Sequence, residues 1–352
     1  MRRAGTLLRT NNVLVPIPNT RSLSLAGILC PITTPFNNDT DRSLALDKLE
    51  HNFNKWSQIK LRGYVALGSA GEFFSLSRRE KLEFVAKARE LTPENKVLIA
   101  GSGCKSTGET IELSKELAKL GVDAVLVITP SYFSASLSAE ALEEHFLQVA
   151  DQCPAPVIAY SVPTSTGEDL TSESVVKLAN HPNIIGLKDS GGDIAKLSRI
   201  VHETRSKGFQ VLAGSAGFQL PALYAGCVGG VDAAANCLGK QLIQLMHQFN
   251  NNPVLANGLQ GRLIEPNAQV TRKLGIPALK YIMDQFGYYG GPVRSPLREL
   301  TQEQKVAVRS AFELSGFLHF EPSTEETGPT STYQEDLSPS QQNGAVLQAS
   351  LN

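Results

Sequence analysis

Eight short β-rich runs, each separated from the next by a stretch with helical spacing, restrict this chain more than any other feature. The runs are "AGILCPITT", "GYVALG", "KVLIAGSG", "DAVLVIT", "PVIAY", "NIIGLKD", "FQVLAG" and "CVGGVD". They are near-continuously apolar rather than alternating, which marks strands buried on both faces. Intervening segments such as "SRREKLEFVAKARELT" and "SAEALEEHFLQVADQC" place apolar residues three and four apart, the period of an amphipathic helix. Strands joined by helices imply a parallel sheet, and eight such units fit a (β/α)8 barrel better than a doubly wound sheet. After the eighth run, residues 238–317 read as additional helices that a plain barrel does not need. The expected fold is therefore α/β: a (β/α)8 TIM barrel with additional C-terminal helices, a single domain over residues 26–318.

The two ends differ from this middle. Residues 1–25, "MRRAGTLLRTNNVLVPIPNTRSLSL", hold four arginines and no acid, and the first carboxylate of the chain is Asp39. That composition fits a disordered mitochondrial transit peptide, whereas the apolar "VLVPIP" is too short and too broken by proline for a secretory signal. Residues 319–352 are polar and acidic; from Glu321 onward they contain no lysine or arginine and are dense in Ser, Thr, Pro and Gln, so a disordered tail is expected.

Charge and cysteine content narrow the partners. The net charge is −1 with both signs interspersed, which provides no basic field for nucleic acid and no polybasic membrane patch. No apolar run approaches membrane-spanning length. The five cysteines are odd in number and scattered, with no CxxC pair, and read as reduced thiols. The six histidines show neither paired spacing nor carboxylate company, so no metal site is expected. "GSGCKSTGET" resembles a phosphate-binding loop only superficially, because Cys104 separates Gly103 from Lys105. A small molecule or another protein remains as partner.

In a barrel of this kind chemistry sits where strands end. "GSAGE" (Gly68 to Glu72) follows the second run, "TPSYF" (Thr129 to Phe133) ends the fourth, and "YSVPTSTG" (Tyr160 to Gly167) ends the fifth. Lys188 closes the sixth, and "GSAG" (Gly214 to Gly217) follows the seventh. A strand-end lysine is ordinarily a solvated cation, but an amine at an apolar barrel mouth loses hydration and becomes available as a neutral nucleophile. Asp189 would hold Lys188 in its charged form if the two met; adjacent strand residues point to opposite faces, so they need not. Tyr160 is either a core aromatic or, beside Lys188, a proton carrier. The "GSAGE" turn either relieves backbone crowding or offers N–H groups to a carboxylate. Glu72 reads as a hydrogen-bonding partner beneath the site, and "FGYYGGPVRSPL" (Phe286 to Leu297) as an ordered loop packing the extra helices.

Taken in this order at these strand ends, "GSAGE", "TPSYF", "YSVPTSTG" and "GLKDSGGD" resemble the dihydrodipicolinate synthase and N-acetylneuraminate lyase family of class I aldolases. The likeness covers roughly Leu25 to Phe317. More narrowly, "HPNIIGLKDSGGD", "VLAGSAGF", "RLIEPNAQVTRKLGIPALK" and "FGYYGGPVRSPL" resemble its 4-hydroxy-2-oxoglutarate aldolase branch, mitochondrial in animals. The resemblance implies that Lys188 forms the Schiff base and Tyr160 is the acid/base phenol. It implies that Ser69 relays protons to a second tyrosine entering from a neighbouring subunit, a position matched by Tyr132. Substrate binding would fall to Ser69, Ala70, Ser190, Gly214 and Ser215. The expected partner is a small 2-keto acid, the expected assembly a homotetramer, and no cofactor is required because the lysine supplies the electron sink. Two departures stand out: Ala70 replaces the usual Thr or Asn, and Ser165 stands where the synthases carry an arginine.

Overall fold

The computed structural model describes residues 7–10, 13–16 and 23–318. Eight parallel strands form a closed barrel: β1 (Gly27–Pro31), β2 (Gly63–Ala66), β3 (Val97–Gly101), β4 (Ala124–Ile128), β5 (Val157–Ser161), β6 (Ile184–Asp189), β7 (Gln210–Ala213) and β8 (Gly229–Val231). They run in sequence order, and β8 pairs with β1 to close the ring. The expected (β/α)8 architecture is thus observed, with helices between the strands and further helices after β8.

The alternation of each strand divides the core in two. Leu29, Val65, Ile99, Leu126, Ile158, Ile185, Leu212 and Val231 form one buried cluster inside the barrel. Their sequence neighbours, such as Cys30, Ala66, Ala100, Val127, Ala159 and Ile184, belong to a second cluster beneath the helices. Both faces of every strand are therefore apolar, which is why the runs read without a polar alternation. Local signals start the helices: Ser77 and Glu80 make a reciprocal capping box ahead of Arg78–Leu91, and Thr301 and Gln304 do the same for Gln302–Leu314.

Helices Ala235–Asn251, Pro253–Ala268, Gly275–Gln285 and Gln302–Leu314 form the C-terminal extension. The segment "FGYYGGPVRSPL" packs them to the barrel as expected. Tyr288 stacks on Trp56, Tyr289 donates its hydroxyl to the Phe36 carbonyl, and the Asn52 side chain brackets the Tyr289 backbone.

At the N-terminus, Leu7–Thr10 pairs antiparallel with Val13–Pro16. These two short strands fall within the 1–25 stretch expected to be a transit peptide; the rest of that stretch up to residue 22, and the tail 319–352, lie outside the described residues. The folded unit begins by Leu23, ahead of the boundary drawn at residue 25. Leu25 is fully buried within the barrel-interior cluster, its N–H donates to Gln210 Oε1 at 2.7 Å, and Gln210 Nε2 donates to the Leu23 carbonyl at 2.8 Å. Composition could not place that edge, because the contact that makes Leu25 structural is with β7.

Candidate active site

Lys188 and Tyr160 are register partners on the neighbouring parallel strands β6 and β5, so both side chains leave the sheet on the same side. That side is the barrel interior, where Tyr160 joins the inner cluster. Lys188 Nζ lies 3.9 Å from the centroid of the Tyr160 ring, and both residues are buried.

Asp189 does not meet Lys188. It points to the outer face, where its Oδ2 is 2.8 Å from Lys196 Nζ and its Oδ1 accepts the Gly191 N–H. Lys196, on helix Ile194–Thr204, also reaches Asp169. The negative charge next to Lys188 in sequence is thereby engaged on the far side of the barrel wall.

Two hydroxyls and an ammonium converge on the Tyr160 phenol. Burial pushes its proton affinity up, but the Lys188 charge and hydrogen bonds with Ser69, Ser190 and Lys188 outweigh it and hold the phenol below the ordinary tyrosine value. Ser69 opens the single 3-10 turn Ser69–Gly71 after β2, and Ser190 directly follows β6. Ser190 Oγ donates to the Gly214 carbonyl at 3.3 Å. A Cβ on Gly214 would fall 2.0 Å from Ser190 Oγ and 2.7 Å from the Asp189 carbonyl, so only glycine allows β7 to end this close to β6. Ser215 Oγ accepts from Asn267 Nδ2 at 2.9 Å, which ties the rim to the C-terminal extension.

The structure therefore brings Lys188, Tyr160, Ser69 and Ser190 together, with Gly214 and Ser215 on the adjoining rim. Ala70 is buried in the turn and offers backbone only. Ser165 sits exposed on the short helix Pro163–Thr166. Tyr132 is not drawn into the cluster of its own chain: it is 73% exposed, edge-on to the exposed Phe133. A cavity of about 30 Å³ lies among Ser69, Phe73, Gly101, Ile128 and Tyr160. A larger cavity of about 340 Å³, lined by Tyr281, Asp284, Tyr289 and Lys305, includes none of the clustered residues. Among the described residues, no group of three or more His, Cys, Asp or Glu is arranged to hold a metal, and all five cysteines are buried and free.

One acid escaped the sequence reading. Asp232 follows β8, is fully buried, and is pushed up to about 8 by burial, with the Lys188 charge pulling the other way. Neither its carboxylate oxygens nor the side-chain amide of Gln219 has a hydrogen-bond partner. A Cβ on Gly230 would lie 2.6 Å from Asp232 Oδ2 and 2.1 Å from Gln219 Oε1, so the two oxygens converge over one glycine. A protonated acid suits that meeting, since an O–H can donate where a carboxylate cannot. The available signal was an acid closing a buried Gly-Gly-Val run.

A closed barrel with a buried lysine against a phenol, and two hydroxyls beside that phenol, fits enzymes of the class I aldolase and lyase type. Residues 24–314 match the dihydrodipicolinate synthetase family, and the chain belongs to that family. It is 33% identical over 292 residues to a 4-hydroxy-tetrahydrodipicolinate synthase of Methanoculleus marisnigri, covering 80% of this chain and 97% of the relative. Identity to the enzyme of that name from Listeria monocytogenes is 31% over 293 residues, covering 83% and 99%. Among solved structures, dihydrodipicolinate synthase of Bacillus anthracis superposes with a TM-score of 0.78 at 27% identity, over 83% of this chain and 98% of that one. The chloride-inhibited synthase of Acinetobacter baumannii, complexed with pyruvate, gives 0.78 at 26% identity, over 84% and 100%. These relatives carry the synthase name rather than that of the narrower aldolase branch that the motifs resemble.

Proposed function

We propose that the protein is a Schiff-base aldolase that cleaves 4-hydroxy-2-oxoglutarate to pyruvate and glyoxylate. The observation that carries this reading is the Lys188–Tyr160 pair inside the barrel, with Ser69 and Ser190 on the phenol and Asp189 turned away. Neutral Lys188 attacks the C2 ketone, and loss of water leaves an imine that, once protonated, draws electrons from the C3–C4 bond. Tyr160, left as phenolate after giving its proton to the departing water, takes the C4 hydroxyl proton as that bond breaks and glyoxylate departs. The remaining enamine is protonated at C3, and hydrolysis frees pyruvate and Lys188.

The pyruvate half is supported by the Acinetobacter relative crystallised with that ligand. The aldehyde half rests on the pocket. Ser165 supplies no guanidinium, and one hydroxyl does not replace an arginine's paired donors for a carboxylate of aspartate semialdehyde. Small residues at the rim, Ala70, Ser190, Gly214 and Ser215, suit a compact anion better than a long sugar acid. The names of the relatives favour a second reading, condensation of pyruvate with aspartate semialdehyde. Comparing kcat/KM for cleavage of 4-hydroxy-2-oxoglutarate, N-acetylneuraminate and oxaloacetate with that condensation decides between them. A most efficient semialdehyde or sugar-acid reaction overturns the aldolase reading.

The exposed aromatic residues Phe74, Tyr132 and Phe133 support self-association, with Tyr132 completing a neighbour's relay in a tetramer. A fully active monomer in sedimentation at assay concentration would contradict it. The acid-free, arginine-bearing first 25 residues support import into mitochondria. A reporter fused to them should be imported, and a diffuse cytosolic signal counts against this.

A further inference from the structure

The C-terminal extension reaches the site through a buried ion pair whose purpose neither barrel closure nor the imine chemistry explains. Glu72 Oε1 and Lys280 Nζ are 2.5 Å apart with side chains 0% and 1% exposed. Glu72 ends the turn that presents Ser69 and Ala70, and Lys280 lies on helix Gly275–Gln285, beyond the eighth strand. Further contacts over-determine the carboxylate and the amine. Glu72 Oε2 accepts the Arg294 N–H at 3.0 Å, Lys280 donates to the Pro292 carbonyl at 2.8 Å, and Lys280 Nζ sits 4.4 Å over the Phe36 ring.

The turn itself needs holding. It is bracketed by two non-glycine residues in the left-handed region, Leu67 at φ 56 and Glu72 at φ 54, a conformation that persists only when its surroundings enforce it. Thr34 Oγ1, donating to the Gly71 carbonyl at 2.7 Å, is a second clamp on the same turn. A buried ion pair is a poor device for stability alone, because desolvating both charges offsets much of their attraction, and an apolar pair would pack at lower cost. Its use here is directional.

Building on the keto-acid reading above, we infer that Lys280 is a positioning residue: through Glu72 it holds the Ser69–Gly71 turn in the shape that receives the carboxylate of the bound keto acid. The extra helices are then part of the binding apparatus, and their loss would be felt as substrate affinity. Burial lowers Lys280 to about 8, against the opposing pull of Glu72 and, more weakly, Asp284, while Arg294 adds to the lowering. These are the charged groups that act on it, and loss of its proton would leave the Glu72 carboxylate without its charged partner.

The test is reductive trapping by borohydride at graded pyruvate concentrations, together with steady-state kinetics and a thermal melt, on the full chain. In the double variant Glu72→Leu with Lys280→Met, which removes the pair without leaving an orphan charge, Lys188 should still be trapped at saturating pyruvate. Half-saturation should rise about ten- to hundredfold, the scale of a lost charge-assisted hydrogen bond, with kcat changed far less. A folded double variant that saturates at wild-type pyruvate concentrations overturns the inference. Should that variant not fold, Lys280→Arg carries the test: wild-type half-saturation should rise above about pH 8 as Lys280 loses its proton, and the rise should vanish in the arginine variant, whose charge persists. Superimposable pH profiles overturn the inference, whereas absence of trapping in the wild type overturns the keto-acid reading itself.

Discussion

Among the described residues, two buried lysines lie over aromatic rings, Lys188 at 3.9 Å from the Tyr160 centroid and Lys280 at 4.4 Å from that of Phe36. Of the two, only Lys280 has a carboxylate in ion-pair contact, Glu72 at 2.5 Å. Both have lost their water, so burial alone does not separate a nucleophile from a structural cation. What separates them is the second partner. Glu72 and the Pro292 carbonyl fix the position of Lys280. Around Lys188 stand a phenol and hydroxyls, groups that can pass a proton on, while the adjacent Asp189 is neutralised by Lys196 on the outer face. The strand's alternation does this sorting, by sending Lys188 and Asp189 to opposite sides of one wall.

The sharpest break of this comparison is chemical. Lys188→Ala should abolish pyruvate-dependent borohydride trapping and lower turnover by on the order of 10⁴ or more, the scale of removing a covalent nucleophile. Lys280→Arg should still be trapped, at Lys188. Peptide mapping that finds the label on Lys280, or on any other lysine, would erase the distinction. Next in size, Tyr160→Phe should leave the imine able to form but reduce kcat by roughly 10²- to 10⁴-fold, the usual worth of a positioned acid/base. Equal loss of trapping and turnover would make the phenol a mere packing partner.

Stability offers an independent check on burial without a charge partner. His145 is buried, its Nδ1 is 2.9 Å from Thr107 Oγ1, and its Nε2 has no partner, so burial lowers it to about 4. Because the folded value lies below the unfolded one of about 6.5, its contribution is fully present above pH 6.5 and lost as the pH falls toward 4, amounting to about 3 kcal/mol. Denaturant titrations across that window should show a shallower loss in His145→Gln; identical slopes would refute the assignment.

The smallest effects sharpen the electrostatics of Lys188 itself. Asp232→Asn should change kcat/KM near pH 7 by less than about tenfold, roughly one pKa unit's worth, because the acid is already protonated there. In a Lys280→Arg background, which removes the other group near pH 8, Asp232→Asn should abolish the remaining inflection in kcat there. Coincident profiles would show that the two groups do not communicate. Ala70→Asn restores a side-chain donor to the turn and should lower KM by about two- to tenfold, the worth of one hydrogen bond. An unchanged or raised KM would mean that the backbone alone suffices.

Much of this was legible from the sequence because it depends on local pattern. Strands buried on both faces must be apolar throughout, so the eight runs announced themselves, and with them the barrel and the meaning of residues at strand ends. Lys188, Tyr160 and the turn carrying Ser69 stood out because each interrupts or closes such a run. The functional pairing of Lys188 with Tyr160 followed from neighbouring strand ends, while the roles assigned to them came from family likeness.

Other features are decided only when distant segments meet. Leu25 closes the acid-free start of the chain, and only the fold shows that Gln210 of β7 holds its backbone. Asp189 could have neutralised Lys188, and Lys196 one helical turn inside the next helix settled otherwise. Glu72 read correctly as a hydrogen-bonding residue, yet nothing near it in the chain named Lys280 as its partner. Asp232 and Gln219 acquire significance only because Gly230 lets both approach one point. Period and composition report which face of an element is buried, since that is a property of consecutive residues. Which charge is paired, and which faces only hydroxyls, depends on contacts across the fold, where a few ångströms decide the partner of a buried amine.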